Sequence, residues 1–171
     1  AQQAVEELYR HGHRRIAALI SRPNDQSISQ LRYEGYVQAL ESHGIPVDPE
    51  LVISTGGFGA KDAYRAVQEK MAENVDFTAL FAIADSMAIG AMRALMDAGR
   101  RIPEDCSVIA IDGLELSAYI EPPLTTLCQP MEEMGRRSAE ILLDMVRHKG
   151  SHACELLPTT LRQGRSVAAP R

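Results

Sequence analysis

Hydrophobic residues in this 171-residue chain follow two spacings, one typical of buried strands and one typical of amphipathic helices. The run RIAALI at residues 15–20 is continuously apolar, as in a strand that is covered on both faces. The segment 28–43 instead has Leu31, Tyr36 and Leu40 among its apolar positions, as an amphipathic helix does. These two segments therefore predict a strand followed by a helix.

The same alternation of strand and helix continues to the end of the chain. Helices are predicted over 2–11, 28–43, 61–73, 86–98 and 131–149, and strands over 15–20, 51–53, 79–84, 107–111, 125–128 and 155–161. Strands separated by helices of this length form a parallel sheet through right-handed crossovers, with helices on both faces. The predicted fold class is therefore α/β, a flavodoxin-like three-layer domain with a parallel sheet.

A ligand site is expected beyond the carboxyl ends of the strands, where such folds open a crevice. The loops that meet this rule are 21–29, 54–60, 84–86, 112–121 and 128–131. They hold Asp85, Asp112 and Phe58, and Arg32 lies early in the helix after the first strand. Carboxylates and a guanidinium bind hydroxyl groups, and an aromatic ring covers the apolar side of a sugar. These residues predict a site for a polyhydroxylated ligand.

Each of these residues also has a purely structural interpretation. Asp85 can cap the helix that it precedes, and Asp112 can serve as a turn residue before Gly113. Arg32 can be a solvated helix residue, and Phe58 can pack under its own loop. The sequence alone leaves these alternatives open.

Composition and charge narrow the class of protein. Hydrophobic residues make up 45% and charged residues 24% of a chain whose formal net charge is −5, which is a globular balance. Arginines occur in scattered pairs without a basic patch, so we expect no nucleic-acid binding by this segment itself. The three cysteines are odd in number and lack a C-x-x-C spacing, which argues against a disulfide scaffold and a zinc ribbon and favours a reducing, cytoplasmic location. No apolar run approaches a membrane span.

Enzymatic alternatives have weaker support. The loop at 56–59 is glycine-rich but has neither the dinucleotide-binding nor the Walker spacing. Asp85 and Asp112 could hold Mg²⁺ in a phosphotransfer enzyme, but no third acid or nucleophile accompanies them. His148 and His152 are separated by a helix-breaking glycine, which disfavours a metal site. We therefore expect no catalytic residue, no metal and no cofactor.

Ordered motifs along nearly the whole chain resemble the LacI/GalR family of transcription regulators. They read GHRRIA at 12–17, RYEGY at 32–36, ADSMAIGA at 84–91, IPEDCSV at 102–108, PPLTT at 122–126 with QP at 129–130, and LP at 157–158 with RS at 165–166. Any one of these motifs is weak evidence for the family, but the whole set in this order is specific to it. The chain begins within a predicted helix and without Met, so we interpret it as a fragment.

The resemblance implies a two-lobed core of the periplasmic binding protein type I kind, preceded by a helix-turn-helix headpiece. Residues 1–171 then form the effector-binding and dimerisation domain, mostly its C-terminal lobe, and the DNA-binding domain is absent. The helix 131–149 resembles the segment that crosses to the N-terminal lobe. Its apolar face would lose its natural cover in the fragment; that face comprises Met134, Ile141, Leu142 and Met145.

The family's effector contacts carry over where positions match. Arg32 and Asp112 resemble residues that bind effector hydroxyls, and Phe58 lies where some members place an aromatic ring. The remaining expected ligand-binding residues are Asp85, Gln129 and Met131. The chain departs from the family at three positions, because Ala84 and Gly113 replace frequent polar contacts and Met131 replaces an aromatic residue. The ligand that the resemblance implies is a sugar or sugar phosphate, although some members bind nucleobases.

The resemblance also implies the mechanism. An effector in the cleft changes how a homodimer presents its headpieces to operator DNA. We expect the helices 61–73 and 86–98 to form this lobe's share of the dimer interface. Two alternatives remain: a sugar-binding protein of a transport system, and an enzyme with a nucleotide or phosphate substrate on a Rossmann-like sheet.

Overall fold

The computed structural model of the protein describes residues 1–21, 28–148 and 154–171. Within these residues it has six strands, β1 Ile16–Ser21, β2 Val52–Thr55, β3 Ala79–Ala82, β4 Ser107–Asp112, β5 Thr125–Cys128 and β6 Thr160–Arg162. They form one sheet in the order β2-β1-β3-β4-β5-β6. The first five strands are parallel and β6 pairs antiparallel with β5.

The helices cover the sheet on two sides. They are α1 Gln2–Arg10, α2 Ile28–Ser42, α3 Ala60–Ala72, α4 Asp85–Asp97 and α5 Met131–His148. Helices α1 and α2 pack on each other and on one face of the sheet, whereas α3 and α4 pack together against strands of the other face. The predicted α/β class with helices on both faces is therefore confirmed.

The centre of the sheet forms the core because its strands are apolar on both faces. Every residue of β1 and β3 is buried. Tyr36 of α2 is also fully buried, and its hydroxyl donates a hydrogen bond of 2.8 Å to the carbonyl oxygen of Ile16. This bond satisfies the one polar atom of the ring in an otherwise apolar setting, and it fixes α2 on β1.

A close approach joins the two helices on the other face. A Cβ atom added to Gly90 of α4 would lie 2.0 Å from the carbonyl oxygen of Ala60, at the beginning of α3. No side chain fits there, so glycine allows the two helix backbones to touch.

Two predicted strands have different bounds in the structure. The strand predicted over 155–161 is only Thr160–Arg162, because Pro158 has no N–H to donate to a sheet and regular pairing with β5 begins at Thr160. The strand predicted over 51–53 begins at Val52, because Pro49–Leu51 form a 3-10 turn capped by the side chain of Asp48. The sixth strand also departs from the predicted parallel arrangement.

Helix α5 differs from the other helices because it does not pack into the core. None of its described side chains, from residue 131 to residue 147, is buried. Leu142, Leu143 and Val146 are 61%, 52% and 73% exposed. The predicted end of this helix at residues 149 and 150 lies outside the described residues, as do His152 and most of the predicted loop 21–29.

Candidate functional site

The carboxyl ends of β3, β4 and β5 lie side by side and bring together three of the predicted site residues. Arg32 reaches this edge from the second turn of α2, Asp112 is the last residue of β4, and Gln129 directly follows β5. The parallel topology makes this convergence possible, because neighbouring parallel strands end at the same edge.

The carboxylate of Asp112 is the centre of this cluster. Its Oδ1 accepts a hydrogen bond of 3.0 Å from Nη2 of Arg32 and one of 2.7 Å from Nε2 of Gln129. The other guanidinium nitrogen, Nη1 of Arg32, donates to the carbonyl oxygen of Ile83 at the end of β3. The three residues are called the open cluster below, because their side chains stay in contact with solvent.

The partial exposure of the open cluster leaves it able to bind a ligand. The side chains of Arg32 and Asp112 are 12% and 19% exposed. Oδ2 of Asp112 accepts no hydrogen bond from the residues that the structure describes. A ligand hydroxyl can therefore donate to this oxygen and accept from the guanidinium beside it, and such charge-assisted bonds are strong.

The backbone around Asp112 is strained. Asp112 has φ +132° and Gly113 has φ +78°. A Cβ atom on Gly113 would lie 2.5 Å from Sγ of Cys128, so the thiol occupies the space that a side chain would need. The loop after β4 thus passes directly over Cys128, and residue 113 must be glycine. Strain of this kind persists only where surrounding contacts enforce it, and it often occurs at binding sites.

Phe58 lies in another loop of this edge, whereas Met131 begins α5 and its amide donates a 2.9 Å hydrogen bond to the carbonyl oxygen of Gln129 in the open cluster. Phe58 is 38% exposed, and its carbonyl oxygen accepts a 2.7 Å hydrogen bond from Oγ of Ser86. Met131, the first residue of α5, is 56% exposed. Both side chains can contribute apolar area to a ligand near this edge.

A cavity of about 430 Å³ adjoins the open cluster through Gln129. Its walls are helix α5 and the segment 154–159, and an ion pair between Arg137 and Glu155 joins the two, with Nη2 and Oε2 2.6 Å apart. Gln129 therefore connects the cluster to the two segments that extend beyond the sheet.

Asp85 is not part of the open cluster. Its side chain is fully buried, and Oδ2 accepts hydrogen bonds of 2.8 Å from the Leu114 amide and 2.7 Å from the Ser117 hydroxyl. Oδ1 accepts a third bond from the hydroxyl of Thr126. Burial raises the pKa of Asp85, and these three hydrogen bonds oppose the rise. These four residues are called the closed cluster.

The capping interpretation of Asp85 is wrong. The N-cap of α4 is Ala84, and its side chain accepts no capping bond. Asp85 is instead the first residue of the helix, and its carboxylate bonds to the loop after β4 and to β5. An Mg²⁺ site shared by Asp85 and Asp112 is disfavoured as well, because both oxygens of Asp85 are bonded inside the protein.

Sequence reasoning missed several residues that shape this edge. Ser117 and Thr126 fix Asp85, and Arg162 of β6 bonds to the loop after β4. The carbonyl oxygen of Ile83 holds Arg32. The hydroxyls of the LTT motif were a usable signal for Thr126, but main-chain acceptors leave no signal in a sequence.

A parallel sheet with an open cluster of arginine, aspartate and glutamine at its strand ends defines an α/β domain suited to small polar ligands. The chain belongs to the family of periplasmic binding protein-like domains, which residues 5–167 match.

Similar proteins confirm the resemblance to LacI-type regulators. The chain is 39% identical over 163 residues to the HTH-type transcriptional repressor CytR of Escherichia coli (strain K12), covering 92% of this chain and 47% of that protein. It is 36% identical to the HTH-type transcriptional regulator CelR of Thermobifida fusca, covering 93% of this chain and 46% of that protein. The chain thus spans about half the length of the curated relatives that it matches.

Solved structures of LacI-type regulators also resemble this chain. The transcriptional regulator CelR in complex with cellobiose superposes with a TM-score of 0.88 at 35% identity, covering 96% of this chain and 50% of that one. A dimeric Lac repressor superposes with a TM-score of 0.90 at 30% identity, covering 99% of this chain and 61% of that one. No helix among the described residues is both long enough and apolar enough to cross a bilayer.

Proposed function

We propose that this chain is the effector-sensing and dimerisation part of a LacI-type transcription regulator. Its open cluster binds a small sugar-like effector, and a DNA-binding headpiece outside this chain reads the operator. The observation that carries the proposal is the partly exposed Asp112 carboxylate, held by Arg32 and Gln129 at the carboxyl edge of the sheet.

The chemistry of the open cluster favours a hydroxylated ligand. One free carboxylate oxygen beside a guanidinium can engage two neighbouring hydroxyl groups, one as donor and one as acceptor. Phe58 and Met131 are candidates for the apolar side of the same ligand. Two similar structures hold sugars, namely cellobiose in CelR and ribose in a regulator from Enterococcus faecium.

The uncovered helix α5 supports the proposed domain organisation. In this proposal residues 1–171 are mostly the C-terminal lobe, and 131–149 cross to a second lobe outside the chain. The exposed apolar side chains of α5 are then the surface on which that lobe packs, since a monomer rarely leaves so many of them uncovered.

The proposed assembly is a cytoplasmic homodimer that contacts operator DNA only through its headpieces. Helices α3 and α4 are the candidates for this lobe's interface, because they form one outer layer and Met96 of α4 is 39% exposed. The similar Lac repressor is dimeric, and another structure of it is bound to operator. Effector binding to one arrangement of the lobes then changes the operator affinity of the dimer.

The experiment that tests this proposal is a ligand titration of the full-length regulator. Calorimetry with ribose, cellobiose and a panel of other sugars and nucleosides is expected to yield a ligand that also changes operator binding in a gel-shift assay. A protein that binds no operator, or that carries a secretory signal, would favour the transport-protein alternative.

A further inference from the structure

The loop 113–118, which follows the ligand-binding strand β4, is held from two opposite sides. The buried carboxylate of Asp85 accepts hydrogen bonds from the amide of Leu114 and the hydroxyl of Ser117, and it also accepts one from Thr126 of β5. One carboxylate therefore ties the start of α4, the loop and β5 together in the protein interior.

Arg162 of β6 also holds this loop, through hydrogen bonds from its guanidinium group. Its Nη2 donates a 3.0 Å hydrogen bond to the carbonyl oxygen of Leu114 and another to the hydroxyl of Ser117, and Nη1 lies 3.5 Å from the carbonyl oxygen of Gly113. Ser117 thus links the hydrogen bonds of Arg162 to those of Asp85, because its hydroxyl accepts a bond from Arg162 and donates one to Asp85.

The loop that Asp85 and Arg162 hold lies immediately beside the open cluster. Asp112 is the residue before the loop, and its backbone has the strained φ of +132°. A strained residue relaxes unless its neighbours are fixed. Leu114 is the point at which the loop is fixed from both sides, through its amide and through its carbonyl oxygen.

Arg162 also connects the loop to the segments that leave the sheet. Strand β6 follows directly on the segment 154–159, which lines the cavity beside α5 together with Gln129. A displacement of this segment would be transmitted through β6 to Arg162, and from there to the loop that carries Asp112.

We propose that Asp85 and Arg162 are positioning residues that clamp the loop 113–118 and thereby hold Asp112 in its binding conformation. Neither residue needs to touch the effector. The clamp links the segments beyond the sheet to the open cluster. The importance of Asp112 to the effector rests on the proposed function, but the clamp itself can be tested without any effector.

Cys128 provides the reporter, because its thiol lies directly under Gly113. A loosened loop would expose this half-buried thiol to a small reagent such as 5,5′-dithiobis(2-nitrobenzoate). Cys106 is the internal control, because it is fully buried and its pKa is raised by burial to about 12. The exposed Cys154 is removed by C154S in every variant.

In the full chain, R162A and D85N are expected to raise the reaction rate of Cys128 at least about tenfold while Cys106 stays unreactive. R162K, which keeps a charge and can donate to one of the acceptors, is expected to restore part of the protection. The matched control is R165A, because Arg165 is an exposed arginine three residues on that pairs with Glu121. It is expected to leave the rate unchanged.

Hydrogen exchange supplies a second readout at Asp112 itself. The backbone amide of Gln129 donates a 3.2 Å hydrogen bond to the carbonyl oxygen of Asp112, so exchange of this amide is expected to quicken in R162A and D85N but not in R165A.

Unchanged Cys128 reactivity and unchanged exchange in both R162A and D85N would overturn the proposal. If D85N unfolds the chain and exposes Cys106, S117A decides instead: faster Cys128 reaction supports the clamp, and an unchanged rate overturns it. A wild type that binds no effector would overturn only the proposed function.

Discussion

Two aspartates at neighbouring strand ends have opposite environments in this domain. Asp112 has a side chain that is 19% exposed and an oxygen that the described residues leave unbonded. Asp85 is fully buried, and its oxygens accept three hydrogen bonds from the protein. The same chemical group therefore belongs to the proposed binding site in one cluster and supports the fold in the other, and the two carboxylates differ in what covers them.

The contrast extends to the charges around each carboxylate. Asp112 faces the guanidinium of Arg32 directly, whereas Asp85 is held by uncharged donors, and Arg162 is linked to it through Ser117 and Leu114. The direct ion pair places a charged donor beside the partly exposed oxygens of Asp112. Asp85 instead accepts hydrogen bonds from uncharged donors and connects α4 to the loop after β4 and to β5.

The largest expected effect is on stability. D85A leaves the Thr126 hydroxyl and the Leu114 amide without an acceptor in the interior, whereas the Ser117 hydroxyl keeps the Leu114 carbonyl oxygen; the free energy of unfolding should fall by about 3–5 kcal/mol. D112A, at the partly exposed edge, should lower it by less, about 2 kcal/mol, because solvent can reach the donors that it leaves. Urea unfolding followed by circular dichroism measures both. Equal losses would remove the distinction between the two clusters.

The next effect is on effector binding. R32A removes the charged partner of Asp112 and a donor to the ligand, and it should weaken effector binding by about 100-fold. R165A, at an exposed arginine, is the control and should leave the affinity unchanged. Calorimetric titration of the full-length regulator decides, and an R32A variant with normal affinity would dismiss the open cluster as the site.

A smaller effect is expected at Gln129. Q129A removes a hydrogen bond to Asp112 but no charge, so effector binding should weaken by about tenfold. The same titration tests it. A loss as large as that of R32A would indicate that Gln129 contacts the effector itself.

The smallest expected effect is the pH dependence of the closed cluster. Burial raises the pKa of Asp85 above its ordinary 3.8, so the folded state holds this proton to higher pH than the unfolded state does. The resulting stability is fully present below 3.8 and is lost as the pH rises through the folded pKa. The stability difference between wild type and D85N should therefore be larger near pH 4 than at pH 7, as urea unfolding can measure. A difference that grows towards pH 7 would contradict the direction of the shift.

Sequence patterns predicted the layers of the fold well, because short continuous apolar runs such as residues 16–20, which alternate with amphipathic segments, are typical of strands buried on both faces. They failed at the last strand, where the backbone hydrogen bonds that define β6 depend on distant β5. Apolar periodicity reports burial, whereas pairing and direction depend on the tertiary arrangement.

The candidate site was only partly predictable, for a similar reason. Arg32, Asp112 and Gln129 were expected as ligand-binding residues, and they do contact one another. Asp85 was expected beside them on the same strand-end rule, yet the loop around Ser117 encloses it. The sequence shows that both aspartates lie near strand ends. It does not show that the loop after β4 covers Asp85 and leaves Asp112 partly exposed, because that depends on the path of the loop.

The most direct test of the account compares two carboxylates in one loop region of the full-length regulator. Asp112 belongs to the open cluster, and Glu115, three residues on, is exposed to solvent. Calorimetry with the sugar that the ligand panel identifies should show that D112A loses nearly all effector affinity and that E115A retains it. Equal affinities in wild type, D112A and E115A would contradict the assignment of the effector site to the open cluster.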